Sequence, residues 1–348
     1  MRELRYVDFM LKKSKIILVT GSSGFIGFHL CQSLLGNDFT VIGVDGMTNY
    51  YDVNLKVNRR NQLLKKSNFH SFEGLIEKKG FIADICNEFK PEVVVHLAAQ
   101  AGVRYSIESP LSYVDSNLIG TFNVIEAARN YNISHLLVAS SSSVYGSNKE
   151  MPFDELQKCD TPLSFYAATK KANEVMCHSY SHLYSIPITM LRFFTAYGPW
   201  GRPDMALFKF TEAILKNKKI DVYNNGKMKR DFTYISDLVQ SIKLLIDVIP
   251  ELPVKRIKSI NGDSISDVAP WRVINIGSSD PVELLEFIKV IEKSLGMEAN
   301  KNMLNMQPGD VEVNWASTNL LKELTKFTPS TSISSGVDSF IKWYLEYV

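Results

Sequence analysis

Residues 15–27 read Lys-Ile-Ile-Leu-Val-Thr-Gly-Ser-Ser-Gly-Phe-Ile-Gly. The first six are mostly apolar and β-branched and stop at a glycine. A short run of this kind reads as a buried parallel strand. From Gly24 to Leu35 the apolar residues take helical spacing. The turn between is Gly21-x-x-Gly24-x-x-Gly27. Gly21 permits a tight turn, Gly24 lets backbone approach a pyrophosphate, and Gly27 lets the helix pack on the strand. Phe25 and Ile26 open the helix, whose free N–H groups suit phosphate. A glycine-rich turn alone says little; its position between strand and helix gives it weight.

Outward from this turn the pattern repeats. Residues 39–45 (FTVIGVD) form a second strand-like run, and 91–97 (PEVVVHL), 135–140 (HLLVAS) and 187–194 (PITMLRFF) follow. A helix of about twenty residues is predicted from Phe165, ahead of the last of these runs. Strands alternating with helices argue for a parallel sheet covered on both faces. After Phe194 the rhythm breaks at Gly198, Pro199, Gly201 and Pro203, which are loop signals. Residues 250–270 are polar, 273–276 (VINI) read as one more core strand, and helices are expected near 282–295 and 336–348. The expected fold is α/β: a Rossmann-like doubly wound parallel sheet with a smaller, partly interleaved C-terminal substrate domain. Residues 14–196 make the first domain, with 231–277 returning to it; 197–230 and 278–348 make the second.

Asp45 closes the second run, eighteen residues past Gly27. A carboxylate there accepts hydrogen bonds from the adenosine ribose and repels a 2′-phosphate. The cofactor expected is therefore NAD rather than NADP.

Gross composition narrows the class. The chain has 348 residues, 45 % of them hydrophobic and 22 % charged, with a net charge of +2. That balance argues against a nucleic-acid or membrane surface. The basic pairs and runs at Lys12-Lys13 and 216–219 read as solvated faces. Cys31, Cys86, Cys159 and Cys177 are far apart with no C-x-x-C, so neither a zinc site nor a disulfide framework is expected, which fits a cytoplasmic location. The first fifteen residues are charged throughout and do not read as a signal peptide. No apolar run is long enough for a membrane span.

The chemistry-bearing segment is Tyr166-Ala-Ala-Thr-Lys170. Four residues apart, the two side chains share one face of a helix. An ammonium near a phenol is expected to favour phenolate, and the tyrosine can then take a proton from a hydroxyl group. Upstream, Ser140-Ser141-Ser142-Ser143-Val144-Tyr145-Gly146 follows a strand. Hydroxyls at a strand end can donate to and accept from a reacting hydroxyl. The combination is far more specific than either part.

Together, the glycine turn, Asp45, the serine run and Tyr166/Lys170 resemble the extended short-chain dehydrogenase/reductase superfamily. Within it the chain is most similar to the UDP-glucuronate 4-epimerases. The segments that carry this are 96–106 (HLAAQAGVRYS), 140–146, 166–173 (YAATKKAN), 191–211 (LRFFTAYGPWGRPDMALFKFT), 227–235 (KMKRDFTYI) and 306–311 (MQPGDV). The resemblance implies an epimerase that interconverts UDP-glucuronate and UDP-galacturonate through a 4-keto sugar, with tightly bound NAD. It implies Ser141 as catalytic hydroxyl, Tyr166 as base and Lys170 as its partner and a cofactor ligand. Thr195 and Arg202, with Ser142 and Ser143 nearby, would hold the sugar carboxylate. Arg230 and Arg104 would reach the phosphates, and Asp310 the nucleotide. Ala98 and Ile76 would line the cofactor, and a homodimer would form through 112–130 and 165–184. One departure stands out: Leu75 follows Gly74 where the family has aspartate near the adenine, which leaves that contact to backbone groups of Ile76.

In dehydratases and decarboxylases of the superfamily acidic residues occupy this serine turn; here none does. Two other readings remain open. One is a 4-epimerase of an uncharged UDP-hexose or UDP-N-acetylhexosamine; Arg202 speaks for a carboxylate instead. The other is a non-catalytic NAD-binding protein, since fold does not fix function. His178 and His182 have the spacing of a metal pair, but with no Glu between them and no third ligand they read as helix-surface residues, and no metal is expected. His96 reads as a packed strand-end residue. Trp200 and Tyr197 fit either a sugar pocket or a core.

Overall fold

The structure, a computed structural model, describes residues 14–37, 39–256, 260–307 and 311–348. Seven strands lie in one parallel sheet. They are β1 (Ile16–Thr20), β2 (Thr40–Asp45), β3 (Phe69–Glu73), β4 (Val93–His96), β5 (His135–Ser141), β6 (Ile188–Phe193) and, later in the chain, Trp271–Ile276. Between these last two come β7 (Thr195–Tyr197), β8 (Lys219–Val222) and β9 (Lys229–Tyr234), so Trp271–Ile276 is β10. The order across the sheet is β10-β6-β5-β4-β1-β2-β3, and every neighbouring pair is parallel.

Both faces of the sheet are apolar because both are covered. On one face Val19, Val95, Leu137 and Ile274 pack with Phe28 and Leu34 of the helix Phe25–Leu35 and with Leu238 and Ile242 of the helix Ile235–Leu245. On the other, Leu18, Val94, Val138 and Met190 meet Ile82, Ile125 and Cys177. Near-continuous apolar strands are what such double coverage requires.

The order in which strands are added reverses between β1 and β4, which are adjacent and parallel in the sheet although β2 and β3 come between them in sequence. That reversal opens a crevice at the carboxyl ends of the strands, the usual ligand position in this fold class. Register aligns Thr20 with His96 and with Val44, one residue before Asp45. Three consecutive turns therefore deliver their side chains to one edge.

The smaller part is built around β9, which pairs with β7 and with β13 (Val313–Asn314) in parallel and with β11 (Pro281–Glu283) antiparallel. β8 pairs with β12 (Asn300–Met303). Its core holds Phe210, Phe287, Phe340 and Tyr344, with Phe232 and Phe287 stacked at 4.2 Å. The expected helix near 282–295 begins two residues later, at Leu284, because Pro281–Glu283 is claimed by the sheet; the last helix, Ile333–Tyr347, begins earlier than expected, capped by Ser332. Short strands such as β7 and β8 carry too little alternation to be read from sequence. No helix among the described residues is long and apolar enough to cross a membrane.

Candidate active site

A cleft of about 610 Å³ runs along the carboxyl edge of the sheet and under the smaller part, within the size range of ligand pockets. At one end lies the glycine turn. Gly21 has φ +73°, and a Cβ there would stand 2.8 Å from the backbone nitrogen of Ala98. A Cβ on Gly27 would stand 2.0 Å from the Gly21 carbonyl oxygen, so the helix sits against the turn as closely as glycine allows. Gly24 precedes the first helical residue, Phe25, without a capping side chain. The N–H groups of that first turn thus remain for a phosphate.

Asp45 closes the next strand. One carboxylate oxygen accepts from Ser23 N and the other from Met47 N, both at 2.9 Å. Each oxygen keeps capacity for a further donor such as a ribose hydroxyl. Ile76 and Ala98 line the same end. The Ile76 carbonyl already accepts from Asn123 at 2.9 Å, and Leu75, half-exposed, takes the wall position beside it. Glycine cradle, uncapped helix start and strand-end carboxylate together fit a dinucleotide.

In the middle of the cleft stand Ser141, Tyr166 and Lys170. Ser164 caps the helix Phe165–Tyr184 by accepting from Ala167 N at 3.1 Å, which places Tyr166 in its first turn. The expected contact between ammonium and phenol is not what governs the tyrosine. Lys170 Nζ donates to the Ala139 carbonyl at 2.9 Å, and burial pulls its pKa down to about 8. Burial pushes the Tyr166 phenol up; a hydrogen bond with Ser141 and the Arg202 guanidinium oppose the rise. The serine and the arginine, not the lysine, are the phenol's polarising neighbours here.

The serine turn is held from beneath. Ser140 Oγ donates to Glu174 Oε1 at 2.6 Å, and Arg192 grips Glu174 through Nε and Nη2, each at 2.9 Å. Glu174 lies four residues beyond Lys170 on the same helix. The strand end and the helix that carries Tyr166 and Lys170 are thereby locked together by a buried, fully bonded pair, the arrangement in which a buried charge is tolerated. Tyr145 stacks on Phe153 at 4.3 Å and donates to Asn275 at 2.7 Å. Ser141 Oγ donates to Ser143 Oγ at 3.2 Å. Asn314, from β13, donates to Ser142 Oγ at 3.0 Å.

Beyond the serines, Thr195, Arg202 and Arg230 complete the cleft. Arg202 Nε and Nη2 grip Asp204 at 3.0 and 2.5 Å. Burial would lower the arginine's pKa, but Asp204 outweighs it and holds the cation above its ordinary range. Burial would likewise raise Asp204, and Arg202 holds it below the carboxylate range. Arg230 donates to the carbonyls of Lys229 and Glu312 at 3.0 and 3.1 Å.

Arg104 is not in the cleft wall. It is exposed, with its guanidinium 4.8 Å from the Tyr223 ring centre. Asp310 lies outside the described residues. Trp200 and Tyr197 pack rather than line the cleft: Trp200 sits among Phe28, Trp343 and Tyr347, and Tyr197 belongs to the smaller core. His96 is buried between Thr20 and Thr121, and burial takes its pKa down to about 3. His178 and His182 bond Ser266 and the Val268 carbonyl, fastening that segment to the helix. Among the described residues no group of three His, Cys, Asp or Glu could hold a metal ion.

Sequence reading missed Tyr50, Asn314 and Asp204 in the wall, and Arg59 behind it. Arg59 is fully buried and donates to the carbonyls of Ser23, Trp200 and Gly201 and to the Tyr51 hydroxyl. It ties the glycine turn to the loop that carries Arg202. Tyr50, Asn314 and Arg59 acquire their places from chain segments distant in sequence, whereas Asp204 stands two residues from Arg202 inside the 191–211 segment, where its pairing was not read.

Comparison with known proteins agrees with this geometry. The sequence model of the NAD dependent epimerase/dehydratase family matches residues 17–258. A probable UDP-glucuronate 4-epimerase of Rhizobium meliloti (strain 1021) is 50 % identical over 328 residues, 94 % of this chain and 96 % of that one. Protein CapI of Staphylococcus aureus is 51 % identical over 95 % of this chain and 98 % of its own. The crystal structure of UDP-glucuronic acid 4-epimerase from Bacillus cereus with UDP-glucuronic acid and NAD superposes with a TM-score of 0.84. It is 32 % identical, over 96 % of this chain and 100 % of that one. The chain belongs to the NAD dependent epimerase/dehydratase family.

Proposed function

We propose that the protein is a UDP-glucuronate 4-epimerase that uses NAD as a resident cofactor. The observation that carries the reading is the cleft itself. A dinucleotide cradle at one end and an arginine with threonine and serine hydroxyls at the other flank Ser141, Tyr166 and Lys170. The relatives named above support the same activity.

Epimerisation at C4 requires that carbon to become planar and then to be rebuilt from its opposite face. When bound, NAD would supply the acceptor for the C4 hydrogen and its electron pair as hydride, and the donor of the same hydride on its return. Gly21, Gly24, Phe25, Ile26, Gly27, Asp45, Ile76, Ala98 and Lys170 are the residues proposed to hold it. Tyr166 takes the C4 hydroxyl proton as the carbonyl forms and returns it to the same oxygen when C4 is rebuilt from its opposite face. Ser141, the side chain that most opposes the rise of the phenol's pKa, is the residue proposed to orient that hydroxyl. Lys170, anchored on Ala139, keeps positive charge near the site at neutral pH. Arg202, Thr195, Ser142 and Ser143 would grip the sugar carboxylate, and Arg230 the diphosphate. The division of labour proposed is that 14–196 with 231–277 hold the cofactor and contribute Ser142, Ser143 and Thr195 to the sugar, while 197–230 and 278–348 supply the rest of the UDP-sugar site.

A homodimer and a cytoplasmic location belong to the same proposal. Ile119, Phe122, Val175, Leu183 and Tyr184 leave an exposed apolar surface on the segments expected to pair, and exposed apolar patches mark association sites. The four cysteines are unpaired, in keeping with a reducing compartment.

The test is to incubate purified protein with UDP-glucuronate, without added NAD, and resolve the products chromatographically. UDP-galacturonate should appear. Turnover of UDP-glucose with none of UDP-glucuronate would overturn the reading in favour of an uncharged substrate. The Asn314 contact predicts a smaller effect. Asn314→Ala removes one neutral hydrogen bond to Ser142 and should lower kcat/KM about fivefold, the worth of roughly 1 kcal/mol. Steady-state kinetics check it.

A further inference from the structure

The cleft holds a carboxylate that the proposed reaction does not use. Asp204 grips Arg202 along one edge of the guanidinium, Nε to Oδ1 and Nη2 to Oδ2. Tyr50 donates its hydroxyl to the same Oδ2 at 3.2 Å, and its ring centre lies 5.6 Å from the guanidinium carbon. All three side chains line the cleft. An arginine fork has five N–H donors, and Asp204 occupies one edge of it. Nη1 has no hydrogen-bond acceptor among the described residues. The opposite edge can therefore receive a second carboxylate without breaking the first pair.

We propose that Asp204 is a specificity-determining residue: it holds Arg202 by one edge, offers the other to a C6 carboxylate, and neutralises the cation so that this carboxylate is oriented rather than simply attracted. The inference rests on the epimerase reading above. Two effects separate in this arrangement. Charge acts on ground-state affinity, because a guanidinium already paired attracts a second carboxylate less strongly than a free one. Orientation acts on turnover, because a fork pinned on one edge presents the other in a fixed plane. An uncharged sugar senses neither in the same way, since a C6 hydroxymethyl group carries no charge to attract.

The test compares wild type, Asp204→Asn and Asp204→Glu on UDP-glucuronate, with UDP-glucose titrated as a competitive inhibitor of the same reaction. In Asp204→Asn the cation is unneutralised and unpinned. KM for UDP-glucuronate should fall up to about fivefold, the scale of a partly exposed ion pair. Its kcat should fall with it, the signature of lost orientation rather than lost affinity, and Ki for UDP-glucose should stay within twofold of wild type. Asp204→Glu keeps the charge at a different reach, so KM should stay near wild type while kcat drops. Equal changes in KM for UDP-glucuronate and Ki for UDP-glucose would overturn the proposal, as would a KM that rises in Asp204→Asn or falls equally in Asp204→Glu. If the asparagine variant fails to fold, the glutamate variant carries the test alone: a fall in its KM, or an unchanged kcat, sinks the idea. Absence of UDP-glucuronate turnover by wild type would instead refute the epimerase reading, so the two failures are distinguishable.

Discussion

Tyr166→Phe is expected to reduce turnover of UDP-glucuronate by about a thousandfold, within the range attributed to a positioned general base, while NAD stays bound. The phenol hydroxyl is the only part removed, and the ring keeps its packing against Tyr113, whose centre lies 6.1 Å away. The residues proposed to hold the cofactor at Gly21, Gly27 and Asp45 are untouched. Lys170 cannot take over the proton transfer, because its ammonium is committed to the Ala139 carbonyl and lacks a free lone pair below about pH 8. Ser141 cannot either, since a serine hydroxyl is far too weak a base without a partner. Cofactor content is read from the absorbance of the denatured supernatant and turnover from product chromatography. Unchanged activity in a variant that retains cofactor would remove Tyr166 from the mechanism. The same experiment bears on the non-catalytic alternative, which predicts no turnover in wild type and so no difference between the two proteins.

How much of this was legible before the structure follows from how local each feature is. The glycine turn is a single segment whose geometry is dictated by its own residues, and the strand before it and helix after it confirm the reading. Tyr166 and Lys170 share a helix face, so a four-residue interval suffices. Their electrostatics were not legible. Proximity in sequence suggested that lysine lowers the phenol's pKa, whereas the folded chain gives the ammonium a carbonyl partner and leaves burial to raise the phenol. Residues that meet across long intervals were also out of reach. Tyr50 and Asp204 are 154 residues apart and Ser142 and Asn314 are 172 apart; no periodicity links them. Arg59 looks in sequence like any charge on an amphipathic helix, and only the fold shows it buried against three carbonyls. Trp200 and Tyr197 illustrate the converse: their neighbours in sequence are site residues, but their own contacts are with the core.

Arg202→Ala should lower kcat/KM for UDP-glucuronate roughly 10- to 100-fold, as expected for loss of a charge-assisted bidentate contact, and should also change the product. Once C4 is a carbonyl, the glucuronyl ring is a β-keto acid. If the C5–C6 bond lies parallel to the carbonyl π system, that bond can break; carbon dioxide leaves, the electron pair enters the C4–C5 enolate, and a proton then adds at C5 to give a 4-keto pentose. A carboxylate held in one plane by a guanidinium is kept out of that alignment. Thr195 and the serines remain in the variant, so binding is weakened rather than lost, and the sugar is free to sample the reactive geometry. Asp204 would then lose its partner, adding a negative charge that repels the substrate carboxylate and pushes KM further up. Chromatography of the nucleotide pool should reveal a UDP-4-keto-pentose, or the UDP-pentose formed from it when the hydride taken from C4 is returned, absent from the wild-type reaction and with carbon dioxide released in equal amount. A variant with unchanged kcat/KM and no UDP-pentose would show that Arg202 neither binds nor restrains the carboxylate. Full loss of affinity without pentose would assign it to binding alone and leave the restraint to Thr195 and the serine hydroxyls.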